Sequence, residues 1–356
     1  MKKFNFSAGP AILPKEVMAE ASRSVVDLDG LGFSILEISH RSKEFVAVME
    51  EAQSLAKELL GAGDNYHVLF LQGGASTQFA MASMNFLGQN EKAGYVDTGS
   101  WSTKAINEAK RFGETIVLAS SKDKNFNYIP KGYDIPEDLK YLHITSNNTI
   151  FGTEYHALPD TKVPFIADMS SNIFSKPIDV DRYGMIYAGA QKNMGPAGTT
   201  LVLLDKDMMN GQSREVLTML DYKTHIGKSS MFNTPPVFAI YVSMLTMRWV
   251  KAHGGVVNMQ KINQEKANLL YSTLDKSDLF YSPVDQEDRS LMNVTFLIKN
   301  PDLEQSFIDL AADAGCMSIK GHRSVGGFRA SIYNAMPIEG VSTLCDVIKS
   351  FEAKHG

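Results

Sequence analysis

Residues 183–204 read YGMIYAGAQKNMGPAGTTLVLL, two apolar runs joined by small residues with one lysine at the centre. Neither run alternates apolar with polar positions, as a strand wetted on one face would. Both are the continuous kind found where a strand is buried on two faces. We read strands at Met185 to Ala188 and Thr200 to Leu204. Such strands need helices on each side of their sheet, so this stretch alone points to an α/β protein. Lys192 is the only charged residue between Arg182 and Asp205. A lone ammonium in such surroundings is costly, and the usual response is a depressed pKa. A Schiff-base lysine needs that property, because the neutral amine is the nucleophile. A lysine at a strand end that snorkels to solvent has the same local signature.

Further strand-like runs cover His67 to Leu71, Ala93 to Val96, Thr115 to Ala119, Tyr141 to Thr145 and Val163 to Ala167. All are read as buried strands, with helices at Thr77 to Leu87 and Ser102 to Phe112 between them. Upstream, Pro14 opens a helix running through Val25. Ser42 precedes another, with Phe45, Val48, Ala52, Leu55 and Leu59 on one face and Gly61 at its end. A long apolar helix, Val237 to Ala252, stops at Gly254-Gly255. A smaller α/β unit follows, with strands at Val294 to Ile298 and Arg329 to Ile332 and a helix from Asp302 to Ala314. The expected division is a large domain over 14–255 and a small one made of 1–13 and 256–356.

Acidic and basic residues are interspersed and the net charge is −5, which leaves no basic footprint for nucleic acid or for an anionic membrane. No apolar run reaches bilayer length, and the N-terminus lacks the apolar stretch of a signal peptide. Two cysteines, Cys316 and Cys345, offer no disulfide framework, so a reducing, cytoplasmic setting is expected.

Asp168 resembles Lys192 in its isolation, standing as the one charge between Lys162 and Lys176 in PFIADMSSNIFS. An Asp after a strand is also a common turn former or helix cap. Taken together, a carboxylate at the end of one strand and a lysine near the end of the next could both reach the carboxyl edge of a parallel sheet, where α/β proteins place ligands. Enzymes that use pyridoxal 5′-phosphate (PLP) require that pairing, a lysine for the aldehyde and an acid beside the pyridine nitrogen. FLQGGASTQ, residues 70–78, runs from a strand through two glycines into a helix. Free N–H groups there, with the Ser76 and Thr77 hydroxyls, suit a phosphate. Gly-Gly turns before helices are common, and the spacing fits neither a dinucleotide fingerprint nor a P-loop. Trp101, in YVDTGSWST, either packs or stacks on a planar ring. Two basic clusters, ISHRSKEF with His40 and Arg41, and IKGHRSVGGFRAS with His322, Arg323 and Arg329, suggest a substrate with two anionic groups. Each cluster alone is equally a solvated surface. No metal site is expected.

These segments resemble the signatures of the phosphoserine aminotransferase family within the class V (subgroup IV) aminotransferases. NFSAGPAILP, ISHRSKEF, LQGGASTQF, NNTIFGTEY, ADMSSN, YAGAQKNMGPAG, NTPPVF and KGHRSVGGFRASIYNA follow one another in the family's order over nearly the whole chain. The resemblance implies a fold-type I PLP enzyme, a homodimer with sites at the subunit interface. It implies an amino transfer from L-glutamate to 3-phosphohydroxypyruvate, with the phosphorylated hydroxy-oxobutanoate of vitamin B6 synthesis as a second acceptor. Carried over by motif, Ala75 and Ser76 hold the cofactor phosphate, Trp101 stacks on its ring and Thr149 meets its phenolic oxygen. Asp168 pairs with the ring nitrogen, Gln191 adjoins Lys192, and Lys192 bonds the aldehyde. Asn233 and Thr234 would come from the partner subunit. His40, Arg41, His322, Arg323 and Arg329 would hold the substrate's anions. Some members have Gly-Arg where this chain has Ala75-Ser76, and some Ser-Ser in place of Ser7-Ala8, so an arginine at the phosphate and a side-chain role at position 8 are not expected.

Two other readings compete. A cysteine desulfurase of the same class would need a mobile nucleophile, for which only Cys316 is placed, at a helix-to-strand junction. A non-catalytic sugar- or nucleotide-binding protein would explain the glycines but gives no reason for Lys192.

Overall fold

The computed structural model describes residues 2–356. Its strands are β1 (Phe4–Asn5), β2 (Tyr66–Leu71), β3 (Lys92–Asp97), β4 (Glu114–Ser120), β5 (Leu139–Thr145), β6 (Phe165–Asp168), β7 (Tyr183–Gly189), β8 (Thr200–Asp205), β9 (Phe280–Tyr281), β10 (Asn293–Ile298), β11 (Cys316–Met317) and β12 (Phe328–Ser331). Its helices are α1 (Lys15–Val26), α2 (Lys43–Leu60), α3 (Gly74–Phe86), α4 (Ser100–Ala109), α5 (Lys206–Asn210), α6 (Tyr222–Ile226), α7 (Val237–Ala252), α8 (Gly255–Asp275), α9 (Glu304–Asp313) and α10 (Ile338–His355).

A 7-stranded sheet takes the order β2-β8-β7-β6-β5-β3-β4. Only β8 runs against its neighbours, and the other pairings are parallel. Successive residues of a strand face opposite sides. Phe70, Ile144, Ala167, Ile186 and Leu203 therefore join α1, α2 and α7 in one core, while Leu71, Ile166, Met185, Val202 and Leu204 join α3 and α4 in another. That is why the runs carry apolar residues on both faces. α2 follows from local signals: the Ser42 hydroxyl accepts from the Phe45 N–H, and Gly61 closes the helix in the left-handed region.

β4 departs from the expectation of a buried strand. It is the sheet's edge, paired only with β3, and Val117 is 44% exposed. α3 starts three residues earlier than expected because the chain turns sharply at Gly73. α4 is likewise shifted, to Ser100–Ala109.

The second core is built around Phe280, Phe296, Phe307, Phe328 and Phe351 and also takes Phe4 and Phe6. β1 pairs in parallel with β11, so the start of the chain lies against its last hundred residues. Two long helices of this unit, α8 and α10, have no counterpart in the sequence-based expectation. The buried residues of α8 are Met259, Asn263, Lys266, Ala267, Leu270, Tyr271, Thr273 and Leu274. Asn263, Lys266 and Thr273 interrupt its apolar pattern, and all three are hydrogen bonded. Lys266 Nζ donates to the carbonyls of Ile332 (2.9 Å) and Tyr333 (2.7 Å), just past β12. Asn263 Nδ2 donates to Asn334 Oδ1 (2.8 Å), and Asn334 N–H donates to Asn193 Oδ1 (2.9 Å), the residue after Lys192.

Burial lowers the Lys266 pKa from 10.5 to about 7. Between those values the unfolded chain holds a proton that the folded chain has released, so this group makes stability rise with pH across that window. The stability difference between wild type and Lys266→Met should therefore widen in the wild type's favour from pH 7 to pH 9. The limit is about 1.4 kcal/mol per pH unit, read by denaturant titration. A pH-independent difference would show that the two carbonyls keep Lys266 charged.

Candidate active site

β5, β6 and β7 end side by side, with Thr145 opposite Asp168 and Asp168 opposite Tyr187. Asp168 is only 5% exposed. Its Oδ1 accepts from the Ser170 N–H (2.9 Å) and hydroxyl (2.7 Å), and that hydroxyl accepts from the Gly189 N–H (3.0 Å). No donor among the described residues reaches Oδ2. Burial raises the Asp168 pKa, and the Lys192 charge and the Ser170 hydrogen bonds pull it back. Below the edge, His143 stacks on Tyr95 and shares a 2.7 Å hydrogen bond with the Tyr187 hydroxyl. Burial lowers its pKa to about 3, so this imidazole is a neutral, rigid part of the floor.

Lys192 leaves the end of β7 and is partly buried. Its Nζ donates to Thr149 Oγ1 (2.5 Å) and lies 5.3 Å from the Trp101 ring centroid. Burial lowers its pKa to about 8, Arg329 acts in the same direction, and Asp168 opposes both. At neutral pH about a tenth of such an amine is uncharged, some hundreds of times more than for an ordinary lysine.

Thr149 joins the two units at this point. Its side chain faces Lys192, and its carbonyl accepts from Arg329 Nη1 (3.2 Å) on β12. His322 lies in the loop before β12, and the charges of Arg329, Arg323 and Lys104 reach it. Its Nδ1 accepts from the Ser324 N–H (3.2 Å). The Ser324 hydroxyl lies 2.7 Å from the same nitrogen.

Ala75 and Ser76 occupy the first turn of α3. That end has no side-chain cap and no acidic residue. Gly73 has φ of 93°, and a Cβ there would lie 2.0 Å from Thr77 Oγ1, so only glycine fits the turn. Unsatisfied N–H groups at a helix start suit an anion.

The single chain does not bring every candidate together. Among the described residues, no hydrogen bond or ion pair joins His40 or Arg41 to this group. His40 Nε2 is buried without a partner, and Arg41 is exposed. Asn233 lies beside the α3 start of its own chain, with Nδ2 3.4 Å from Gln72 Oε1. Cys316 is buried in β11 and burial pushes its thiol up to about 11, the opposite of an activated nucleophile.

Several participants were not singled out from sequence. Residues 8–11 form a strap over Lys192: Ala11 N–H donates to the Gln191 carbonyl (2.9 Å), and the Tyr333 hydroxyl donates to the Ala8 carbonyl (2.7 Å). Position 8 thus works through its backbone. Ser170, Asn193, Asn334 and Tyr333 hold the site without bearing charge, so no isolated charge marks them in the sequence.

The model of the class-V aminotransferases matches residues 3–344. The chain belongs to that family. The phosphoserine aminotransferase of Flavobacterium johnsoniae is 57% identical over 355 residues, 99% of this chain and all of the relative. The solved structure of the phosphoserine aminotransferase of Bacillus circulans subsp. alkalophilus superposes with a TM-score of 0.97 at 45% identity, covering 100% of this chain and 99% of that one. The PLP-bound phosphoserine aminotransferase of Trichomonas vaginalis gives 0.92 at 35% identity, covering 98% and 100%.

Labelling of the cofactor-free protein at different pH values, read by mass spectrometry, should show Lys192 half-reactive near pH 8, well below surface lysines. Asp168→Asn should move that midpoint lower, because the lost carboxylate had favoured the ammonium. A midpoint that stays put or rises would show that Asp168 does not act on Lys192.

Proposed function

We propose that this chain is a PLP-dependent phosphoserine transaminase that moves the amino group of L-glutamate to 3-phosphohydroxypyruvate, giving O-phospho-L-serine and 2-oxoglutarate. The observation that carries it is Lys192 beside Asp168 at the carboxyl edge of the sheet, with basic residues from the second unit opposite. The residues fit the cofactor. Lys192 offers a partly neutral amine, Asp168 an oxygen without a donor, α3 an uncapped start, and Trp101 a flat apolar ring.

PLP, when bound, supplies the aldehyde that takes up the amino group and a ring that accepts the electrons released at Cα. Lys192 would bond that aldehyde, and its freed Nζ would take the proton from the substrate Cα and return it. Asp168 would hold a proton at the pyridine nitrogen. Thr149 and Gln191 would adjoin the ring, and Ala75 and Ser76 the phosphate. Arg329, fixed by Thr149, would hold the α-carboxylate common to both substrates. His322 and Arg323, with His40 and Arg41, would hold the far end. Asn233 and Thr234 would complete the phosphate site from a partner subunit, which makes the enzyme a homodimer. The same chemistry would accept the phosphorylated hydroxy-oxobutanoate of vitamin B6 synthesis. No helix among the described residues is long and apolar enough to cross a membrane, and we place the enzyme in the cytoplasm.

Adding glutamate to the holoenzyme should shift its visible absorbance to the amino form of the cofactor, and 3-phosphohydroxypyruvate should restore it. Lys192→Ala should retain some cofactor yet lose turnover by several orders of magnitude. Near-normal turnover in that variant would overturn the assignment.

In single-turnover kinetics, Arg329→Ala should weaken both half-reactions together, whereas Arg323→Ala should mainly raise the KM for the phosphorylated substrate, which carries nearly two charges at its far end. Equal damage to glutamate in Arg323→Ala would refute that division.

A further inference from the structure

Lys104 lies on α4, three residues after Trp101 and on the same helix face. Its Nζ is 4.5 Å from the Trp101 ring centroid, closer than that of Lys192. The residue is exposed, and among the described residues no carboxylate lies within 4.0 Å of it. Arg323 and Arg329 also lack ion pairs among the described residues, and the charges of all three reach the His322 imidazole. Three unpaired cations around one histidine repel one another, an arrangement that an anion would relieve. Arg323, Arg329 and His322 enter from β12 and the loop before it, whereas Lys104 enters from the large sheet's helix layer. The cluster is thus drawn from two units, and its member from the large unit stands over Trp101.

We propose that Lys104 is a specificity-determining residue whose ammonium, positioned over Trp101, binds the dianionic phosphate at the substrate's far end. This rests on the function proposed above and adds to it a cation from outside the two basic clusters. A carboxylate at that position, as in glutamate, has half the charge and one fewer oxygen, so it gains less from a further cation. An ammonium is a point charge on a flexible stem and needs no fixed orientation toward a rotating phosphate.

The test compares wild-type holoenzyme with Lys104→Met and Lys104→Arg. Lys104→Met should raise the KM for 3-phosphohydroxypyruvate about tenfold with a much smaller change in kcat, while the KM for glutamate changes less than about twofold. Inhibition by inorganic phosphate should weaken in parallel, and Lys104→Arg should recover most of both effects. A lysine that merely packs on Trp101 would move kcat and both KM values together, and its methionine variant would leave phosphate inhibition intact. Either result overturns the proposal and leaves the proposed function standing. A wild type that accepts amino groups only on unphosphorylated keto acids overturns both.

Discussion

Asp168 and Lys192 each carry a charge that burial opposes, and each is the other's chief electrostatic compensation. The effective cost of an unpaired buried ion is several kcal/mol, so each lowers the cost of charging the other at this edge. Their pairing constrains the architecture. The strands must run parallel so that both ends meet at one edge. Ser170 meets part of the cost by holding Oδ1, which leaves the other oxygen without a donor among the described residues.

The large unit was legible in the sequence because its chemistry breaks its own pattern. Lys192 and Asp168 are lone charges in apolar surroundings, and continuous runs such as Tyr141 to Thr145 state that both faces are covered. β4 misled because an apolar run does not record whether a further strand follows beside it. Strand order, a property of the whole sheet, decides that.

The second unit was less legible for the converse reason. α8 has a helical stripe, but Asn263 and Lys266 occupy core positions where a pattern reader expects apolar residues. They are buried because backbone carbonyls and Asn334, distant in sequence, complete them. Polar residues at core positions of an otherwise periodic helix were the available signal. The arginines of the far cluster stood out by charge, while Thr149, which links Arg329 to Lys192, is an ordinary threonine outside any strand or helix.

The pairing of β1 with β11 has a bearing on how the chain reaches this state during synthesis. Sheet and flanking helices of the large unit lie within one continuous stretch, so their core can consolidate while the remainder is still being made. Phe4 and Phe6 belong to a core whose other members come from Ala267 to Phe351. Residues this early in the sequence must therefore wait for segments made much later, with their aromatic rings uncovered in the interval. Contacts so distant in sequence are slow to form, and exposed apolar surface invites chaperones. The strap over Lys192 is drawn tight only when that late core closes, so a nascent chain with its large sheet already built would still lack a finished pocket around this lysine.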